Sequence, residues 1–519
     1  MDLTKAYDCV QRPLLWSALY RKGVRGIMMS ALKGLYTDGK IAIKVGGRVG
    51  RPQPSTVGVR QGCPLSPTLF GVFFDGLHDF LASHAPGCGV PLSAPQLTRI
   101  VSHLMYADDI ALTAAAPAEL QQLIDALSRY CTALGIDISA AKTQTMTFHP
   151  AHHLGTVPTF IYSGRTLPTT DSYKYLGTIF TPSGSLGHSV ASTVQKTAHA
   201  CHGVRAKLSQ LDCKGNLFLT LHLFDAYVKS KASSSCEIWG VHPTANVAKK
   251  KLATHFRRHL KAICGLPKSV ADDMLHAELE RLPIEHEWLF RSLNFNNRLC
   301  QMPAGSLHSD LLRDNVWIAD SDLVGGRRTP GNFTTGLRAA AAALGTQLPR
   351  GNGDLRKADT AAVRQAIQDA QQQRWQQLDI CPRTCTDAAM HCNYWRWFAR
   401  ANMPHRRSAR TLYHSQLSPT RLRRYMRFRL SCTPLPVVQG RRNAVPRMQR
   451  HCHQCNLMLM GDQRHVVFEC PKVQFVRDRY PYLFDDNPAQ SMLIFMNQED
   501  ERSVVKFIIE CLNELDLDT

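Results

Sequence analysis

Long apolar runs, an N-terminal leader and internal repeats are all lacking from this sequence. No run approaches the roughly eighteen apolar residues that a membrane-spanning helix needs. The first residues, MDLTK, lack the apolar core of a secretory signal, and no period typical of a solenoid or a helical array is present. We therefore expect a soluble, intracellular protein with no membrane partner.

Acidic residues are scarce relative to basic ones. The 62 Lys and Arg exceed the 41 Asp and Glu by 21 charges. Such a surplus attracts a polyanion such as nucleic acid, or an acidic membrane surface. Residues 396–450 contain 14 Arg and no Lys, Asp or Glu. Because nucleic acid is the commoner partner of so basic a chain, we interpret the surplus as a nucleic-acid-binding property.

Hydrophobic residues, in contrast, are plentiful enough for several cores. The chain has 519 residues, of which 44% are hydrophobic and 20% are charged, and a chain of this size divides into about three or four domains. Its 17 cysteines are odd in number and mostly isolated in apolar segments. This pattern favours reduced thiols in a reducing compartment over a disulfide framework.

The first 180 or so residues alternate between strand and helix patterns, which predicts one α+β unit. Residues 14–35 and 69–81 have a helical period, and residues 41–59 predict a hairpin with a Gly-Gly turn. Residues 120–134 place their apolar side chains on one helical face, which Gly135 ends.

Three carboxylates stand out by their positions. Two apolar runs, residues 100–105 and 110–113, flank a four-residue turn that carries Asp108 and Asp109, and this predicts a tight hairpin with acids at its tip. Asp2 begins another short extended segment. If the two segments are neighbouring strands, the three carboxylates can hold two divalent ions about 3.5–4 Å apart, as phosphoryl transfer requires. Taken alone, the Asp-Asp pair is more typical of a solvated turn.

The order of the surrounding motifs favours the catalytic interpretation. Four segments follow one another: residues 2–8 (DLTKAYD), 58–67 (GVRQGCPLSP), 106–109 (YADD) and 175–177 (YLG). Together they resemble the successive polymerase motifs of reverse transcriptases of non-LTR (LINE-type) retrotransposons. The resemblance implies an α+β fold, a right-hand polymerase palm followed by an α-helical thumb and a small C-terminal zinc-knuckle-like module.

The same resemblance implies an RNA-directed DNA polymerase that performs two-metal-ion nucleotidyl transfer onto a primer 3′ end. Its partners would be an RNA template, a DNA primer or target and deoxynucleoside triphosphates, in the nucleus if it acts on genomic DNA. Asp2, Asp108 and Asp109 would hold two Mg²⁺ ions. The positions that would contact the nucleotide or the primer are Tyr7, Gln61, Gly62, Tyr106, Tyr175, Leu176 and Gly177.

Two of the implied roles are chemically specific. Tyr7 would lie under the sugar of the incoming nucleotide and crowd a 2′-hydroxyl, and Lys142 would protonate the leaving pyrophosphate. The residues alone leave alternatives open, because aromatic residues near strand ends are often core. A general acid, moreover, cannot be told from an ordinary surface lysine without geometry.

A candidate metal centre lies near the C-terminus. Cys452-x2-Cys455-x9-His465-x4-Cys470 supplies three thiolates and one imidazole, the ligand set of one structural Zn²⁺. It resembles the Cys-Cys-His-Cys tail of LINE-type proteins, and His451 and His453 are alternative ligands. Since no other local core is evident, we expect the metal to contribute much of the module's folding energy. A second group has less regular spacing: Cys381, Cys385, His391 and Cys392.

The arginine-rich residues 396–450 are interleaved with aromatic residues. Arginines that bind phosphates beside aromatic rings that stack on bases are typical of proteins that hold unpaired nucleic acid. A solvated basic helix face is the alternative. The predicted contact residues are Arg406, Arg407, Arg421, Arg423, Arg424, Arg427 and Arg429.

These observations predict four divisions: a reverse transcriptase palm at 1–183, a helical thumb at 184–300, a helical connector of unassigned role at 301–395, and an Arg-rich nucleic-acid-binding segment with the zinc module and a C-terminal helix at 396–519. The resembled family carries a fingers region before its first aspartate motif, so we expect an N-terminally truncated chain with the fingers largely missing. A catalytically dead nucleic-acid-binding remnant is the alternative. An intron-encoded or bacterial reverse transcriptase is a third interpretation, against which the DLTKAYD string and the Cys-Cys-His-Cys tail argue.

Overall fold

A computed structural model describes residue 1 and residues 3–148, 157–212, 216–325, 331–348, 358–380, 418–485, 490–498 and 500–517. The chain divides into two compact units. The first consists of Met1–Ser185 and Met302–Gly326, and the second of Leu186–Gln301 and Arg327–Thr519. Within these described ranges, no helix has the length and apolar character needed to cross a membrane.

The helices of the described residues are, in chain order, α1 (Arg12–Arg21), α2 (Gly26–Gly34), α3 (Ser66–Phe74), α4 (Leu77–His84), α5 (Pro117–Leu134), α6 (Gly187–Gln210), α7 (Leu217–Leu223), α8 (Ser230–Ala232), α9 (Cys236–Trp239), α10 (Asn246–Ile263), α11 (Asp272–Glu278), α12 (Ile284–Leu299), α13 (Leu307–Gly325), α14 (Phe333–Ala342), α15 (Thr360–Ile380), α16 (Pro419–Arg429), α17 (Pro436–Arg442), α18 (Gln474–Arg477), α19 (Met492–Met496) and α20 (Glu501–Glu514). Two π-helical turns cover Phe224–Lys229 and His465–Glu469.

Among the described residues the strands all lie in the first unit. They are β1 (Lys40–Ile41), β2 (Lys44–Val45), β3 (Arg48–Val49), β4 (Gln53–Pro54), β5 (Val90–Pro91), β6 (Ile100–Val101), β7 (His103–Tyr106), β8 (Asp109–Leu112), β9 (Ile161–Tyr162), β10 (Arg165–Thr166), β11 (Tyr173–Tyr175) and β12 (Thr178–Phe180). They pair as two-stranded antiparallel sheets: β1 with β4, β2 with β3, β5 with β6, β7 with β8, β9 with β10 and β11 with β12.

The helical periods of the first unit were predicted largely correctly, but two predicted helices are each divided. The pattern over residues 14–35 forms α1 and α2, because Gly23 has φ +89° between them. The pattern over residues 69–81 falls in α3 and α4, which are separated near Gly76. Helix α5 follows the prediction closely: it begins at Pro117 and ends at Gly135, whose φ of +71° is readily adopted by glycine.

Each unit has its own hydrophobic core. In the first unit, α1, α3, α4 and α5 bury an apolar cluster around Phe70 and Phe74. In the second, the core around Trp239 and Trp288 extends continuously to the C-terminal helix α20. Trp239, Phe256, Leu260 and Ile263 are all buried in this core.

Residues 303–380, which showed no clear sequence signal, contain α13, α14 and α15. Helix α13 belongs to the first unit. Its Asp314 carboxylate accepts hydrogen bonds from the amides of Ser93 and Ala94 at 2.6 and 2.8 Å, and its Asp310 pairs with Arg99 at 2.8 Å. Helices α14 and α15 belong to the second unit.

Candidate active site and metal centre

The two predicted acids lie at the tip of the hairpin formed by β7 and β8. Tyr106 pairs with Asp109, so the turn has two residues, Ala107 and Asp108, rather than the predicted four. Strand pairing therefore continues one residue further on each side. Ala107 has φ +54°, a conformation that costs a residue with a Cβ about 1–3 kcal/mol. Both carboxylates are exposed, and none of the described side chains forms a salt bridge with either.

The N-terminal segment lies beside β8. The Met1 amino group donates a hydrogen bond to the Ile110 carbonyl at 2.7 Å, and the Ile110 amide donates to the Met1 carbonyl at 3.4 Å. Leu3 forms a bridge with Ile138. Asp2 lies outside the described residues, but both of its neighbours are placed, one of them against the strand that begins at Asp109.

Tyr7 lies close to the hairpin tip. Partial burial, then the charge of Asp108, then the phenol of Tyr106 raise the pKa of Tyr7 above its ordinary value. The ring stacks on Phe70 of α3, with centroids 5.2 Å apart and planes at 25°. The DLTKAYD and YADD segments therefore lie close together. The stacking contact with Phe70 of α3 orients the tyrosine ring.

The GVRQG segment runs alongside the DLTKAYD segment. The Val59 amide donates to the Tyr7 carbonyl at 2.8 Å, and the Gln61 side-chain amide donates to both carboxylate oxygens of Asp8, at 3.1 and 3.2 Å. Gly58 has φ +81°, and a Cβ there would lie 2.8 Å from the Asp8 carbonyl oxygen. Only glycine allows this approach. Gly62, with φ +79°, is exposed.

The YLG segment forms a second hairpin tip near the same acids. Tyr175 pairs with Thr178, and Leu176 and Gly177 make the turn at φ +46° and +87°. Burial, then the charge of Asp109, then Tyr173 raise the pKa of Tyr175. The first and last of the four motifs, some 170 residues apart, therefore both lie near the YADD tip.

Lys142 is exposed, in a turn where its amide donates to the Ser139 carbonyl at 3.2 Å. Its role as a proton donor stays a prediction.

Sequence reasoning missed the residues that support this site. Asp8 orients Gln61. Asp8 is the last residue of the DLTKAYD segment that Asp2 begins, and this second acid, six residues after Asp2, could have indicated its role. Arg12 had no such signal: its guanidinium donates to the carbonyls of Ser55 (2.5 Å), Val57 (3.1 Å) and Gly58 (3.1 Å). It thereby fixes the chain that leads into Gln61.

The C-terminal ligand set converges as predicted. One ligand atom from each of Cys452, Cys455, His465 and Cys470 lies within 4.8 Å of all the others. The Cys455 sulfur and His465 Nε2 are 3.4 Å apart, near the roughly 3.6 Å that tetrahedral Zn–S and Zn–N bonds imply. Glu469 places a carboxylate oxygen 3.4 Å from His465 Nδ1. A carboxylate at the second ring nitrogen is a common way to orient a zinc-bound histidine, so the residues fit a structural Zn²⁺.

One expectation about this centre is wrong. It is not a small module without a core, because Cys452 and Cys470 are buried in the same hydrophobic cluster as α6, α10 and α20. The sequence around the ligands is polar and rich in turns, but the neighbouring Val466, Val467 and Phe468 and the apolar residues of α20 are buried in this cluster. The second cysteine group, Cys381, Cys385, His391 and Cys392, lies outside the described residues.

Replacing Cys455 with serine should abolish stoichiometric zinc binding and lower the melting temperature of the second unit without unfolding it, because the shared core remains. Glu469→Gln should weaken zinc binding by about 10- to 100-fold. Metal content by mass spectrometry and thermal unfolding measure both effects. Cys300→Ser, at a half-buried thiol outside the cluster, is the control, and full zinc content in Cys455→Ser would contradict the assignment.

The arginine prediction needs a correction. Arg429, on α16, is 3% exposed and pairs with Glu278 through Nε–Oε1 and Nη2–Oε2 contacts of 2.8 and 3.1 Å. It cannot bind nucleic acid in this state, and the aromatic neighbours Tyr425 and Phe428 are also buried. The arginine-rich residues 396–450 contain no acid, but Glu278, far earlier in the chain, supplies the partner of Arg429.

The other arginines of α16 differ in exposure. Arg427 donates to the Gly265 carbonyl at 2.9 Å, and Arg424 to the Asn513 side chain at 2.6 Å. Arg423 is half-buried, and Arg421 is exposed. Arg406 and Arg407 lie outside the described residues.

Comparison with known proteins agrees with this geometry. Residues 1–180, about a third of the chain, match the family model described as reverse transcriptase (RNA-dependent DNA polymerase). The chain is 26% identical over 190 residues to the retrovirus-related Pol polyprotein from type-1 retrotransposable element R2 of Popillia japonica, a match that covers 36% of this chain and 30% of the relative. It is 28% identical over 184 residues to the RNA-directed DNA polymerase from mobile element jockey of Drosophila melanogaster, covering 34% and 19%.

By this match, residues 1–180 are a reverse transcriptase domain. More particularly, this domain is similar to the polymerases of the non-LTR retrotransposons R2 and jockey. The chain spans less than a third of the length of these two relatives.

Proposed function

We propose that this chain is the polymerase part of a non-LTR retrotransposon, an RNA-directed DNA polymerase that extends a primer 3′ end on an RNA template. The observation that carries the proposal is the convergence of four distant motifs on one hairpin. Met1 is hydrogen-bonded to Ile110 of β8 and Val59 to Tyr7, and the charges of Asp108 and Asp109 act on Tyr7 and Tyr175. In this proposal residues 1–183 are the palm, residues 184–300 are the helical thumb and residues 301–395 are a connector.

The donor set at the tip fits divalent magnesium. Asp108 and Asp109 offer exposed carboxylate oxygens, the ligands that Mg²⁺ prefers, and Asp2 would complete the set. When bound, two Mg²⁺ ions would clamp the attacking and leaving oxygens of the transfer. The chain's own part is positioning: Gln61, held by Asp8, and the exposed Gly62 would border the nascent base pair. The exposed Lys142 would donate the proton to pyrophosphate.

Tyr7 is proposed to exclude ribonucleotides. Its ring cannot move toward α3 because it already stacks on Phe70, so a 2′-hydroxyl would meet a fixed surface. Tyr7→Ala should therefore raise ribonucleotide incorporation relative to deoxynucleotide incorporation by roughly tenfold or more. Tyr7→Phe keeps the ring and should discriminate as the wild type does. Single-nucleotide extension with each triphosphate measures the ratio, and an unchanged ratio in Tyr7→Ala would refute this role.

Residues outside the YADD hairpin would also contact nucleic acid. Arg421 on α16 is exposed, and the zinc centre and the segment that contains Arg406 and Arg407 are proposed as further contacts. Action on genomic DNA would place the protein in the nucleus.

Primer extension tests the proposal directly. The full chain is incubated with an RNA template, a DNA primer, Mg²⁺ and deoxynucleotides, and RNA binding and zinc content are measured on the same preparation. Extension supports the polymerase. A folded, zinc-loaded chain that binds RNA without extending the primer would instead be a nucleic-acid-binding remnant.

A further inference from the structure

Residues 39–54 form a projecting two-stranded arm, here called the ribbon. It contains β1 to β4, with Val45 opposite Arg48 at the tip and Ile41 opposite Gln53 near the base. Every residue from 40 to 54 is exposed. Nothing in the catalytic proposal uses this segment.

The base of the ribbon is firmly attached. Arg12 donates to the Tyr36 carbonyl at 3.3 Å just before the ribbon and to the Ser55 carbonyl and hydroxyl, at 2.5 and 3.0 Å, just after it. Its guanidinium also lies 5.1 Å from the centre of the Tyr36 ring. One side chain therefore holds both ends of the ribbon against α1, and the ribbon projects as a positioned arm.

The ribbon has charge of one sign. Lys40, Lys44, Arg48 and Arg51 are its ionisable residues, and residues 39–74 contain no Asp or Glu. A one-signed, fully exposed segment of this kind favours a polyanionic partner.

The apolar residues and the dimensions of the ribbon indicate which form of nucleic acid it fits. Ile41, Ile43 and Val45 alternate along the segment that runs from β1 to β2, and the period of an extended chain directs alternate side chains toward one face. They are 62%, 73% and 73% exposed. No aromatic residue occurs from 37 to 69, so the ribbon lacks the stacking platforms that hold single strands. The B-form major groove, about 12 Å wide, admits a two-stranded ribbon and presents thymine methyl groups to aliphatic side chains. The A-form major groove is too narrow and deep.

We propose that the ribbon is a binding element for double-stranded B-form DNA. Its aliphatic face lies in the major groove, and its lysines and arginines contact the flanking phosphates. This role rests on the proposed function only in assuming that the partner is a nucleic acid. It does not depend on whether the chain extends a primer.

The test is binding of the full chain to a labelled DNA duplex, an RNA–DNA hybrid and a single-stranded RNA at several salt concentrations. The salt slope is the steepness with which the logarithm of the affinity falls against the logarithm of the salt concentration. The variant Lys44→Gln/Arg48→Gln loses two phosphate contacts, so its salt slope for duplex DNA should be lower by about 1.8. The affinity ratio between 50 and 200 mM salt should then shrink by roughly twelvefold. The control Arg502→Gln/Lys506→Gln removes two exposed charges from α20, where Asp500 lies nearby, and should leave the slope unchanged.

A second variant separates the groove from the phosphates. Ile43→Ser/Val45→Ser should weaken binding to duplex DNA several-fold without changing its salt slope, and should leave binding to the hybrid unchanged. The proposal would be overturned if either variant lost affinity equally for all three nucleic acids, or if Lys44→Gln/Arg48→Gln lost no affinity for duplex DNA. Unchanged duplex affinity in the aliphatic variant would also overturn it and would favour a protein segment on that face. Primer extension, measured separately, reports on the polymerase proposal alone.

Discussion

Replacing Asp108 and Asp109 together with asparagine should lower the rate of primer extension on an RNA template by at least about a thousandfold. Asparagine keeps the shape of each side chain but removes the negative charge. Charge stabilisation by bound metal contributes several kcal/mol to the transition state, and about 4 kcal/mol corresponds to a thousandfold in rate. Both residues are exposed at a hairpin tip, so the fold should persist.

The control for this variant is Asp79→Asn/Asp125→Asn, which changes two exposed acids of α4 and α5. It should extend the primer at nearly the wild-type rate. Single-turnover extension with saturating Mg²⁺ measures all three proteins, and circular dichroism confirms that each is folded. Extension at a comparable rate by the Asp108/Asp109 variant would exclude these carboxylates from catalysis.

Replacing Glu278 with alanine should lower the free energy of unfolding of the second unit by about 3–5 kcal/mol. Glu278 and Arg429 form a salt bridge whose side chains are 0% and 4% exposed, and removal of the carboxylate leaves a buried guanidinium unpaired. Urea denaturation followed by tryptophan fluorescence measures the change, because Trp239 and Trp288 lie in the same core.

Two further variants establish the cause. Glu278→Leu/Arg429→Met removes both charges and should recover most of the lost stability, because an apolar pair of similar volume avoids the desolvation penalty. Glu287→Ala, at a residue 32% exposed that pairs with Lys229, should cost less than about 1 kcal/mol. A Glu278→Ala loss no larger than that of Glu287→Ala would show that the buried pair does not stabilise the unit.

Local signals predicted the hairpin of β7 and β8 well. Two apolar runs around YADD fixed the position of the turn, and Gly135 correctly marked the end of α5. The zinc ligands were also found from spacing alone, since three of the four lie within a short segment and the fourth follows His465 closely. In these cases the residues that determine the structure are neighbours in the chain.

The failures concern contacts between distant residues. The arginine pattern could not reveal that Arg429 is buried, because its partner Glu278 is 151 residues away. The metal centre was taken for a small module without a core, but its cysteines Cys452 and Cys470 are buried in one cluster with α20 and with helices far earlier in the chain. The Arg12 contacts were equally invisible, since a guanidinium bound to backbone carbonyls leaves no complementary residue type in the sequence.

The continuous core of the second unit also sets an order for folding during synthesis. Glu278 is made long before Arg429, and the buried residues of α20, up to Leu512, are made later still. The helices from α6 to α12 must therefore wait with apolar surface exposed until the residues of α20 arrive. Contacts of such long sequence separation form slowly and favour aggregation in the interval. A prematurely terminated chain would be left permanently in that exposed state.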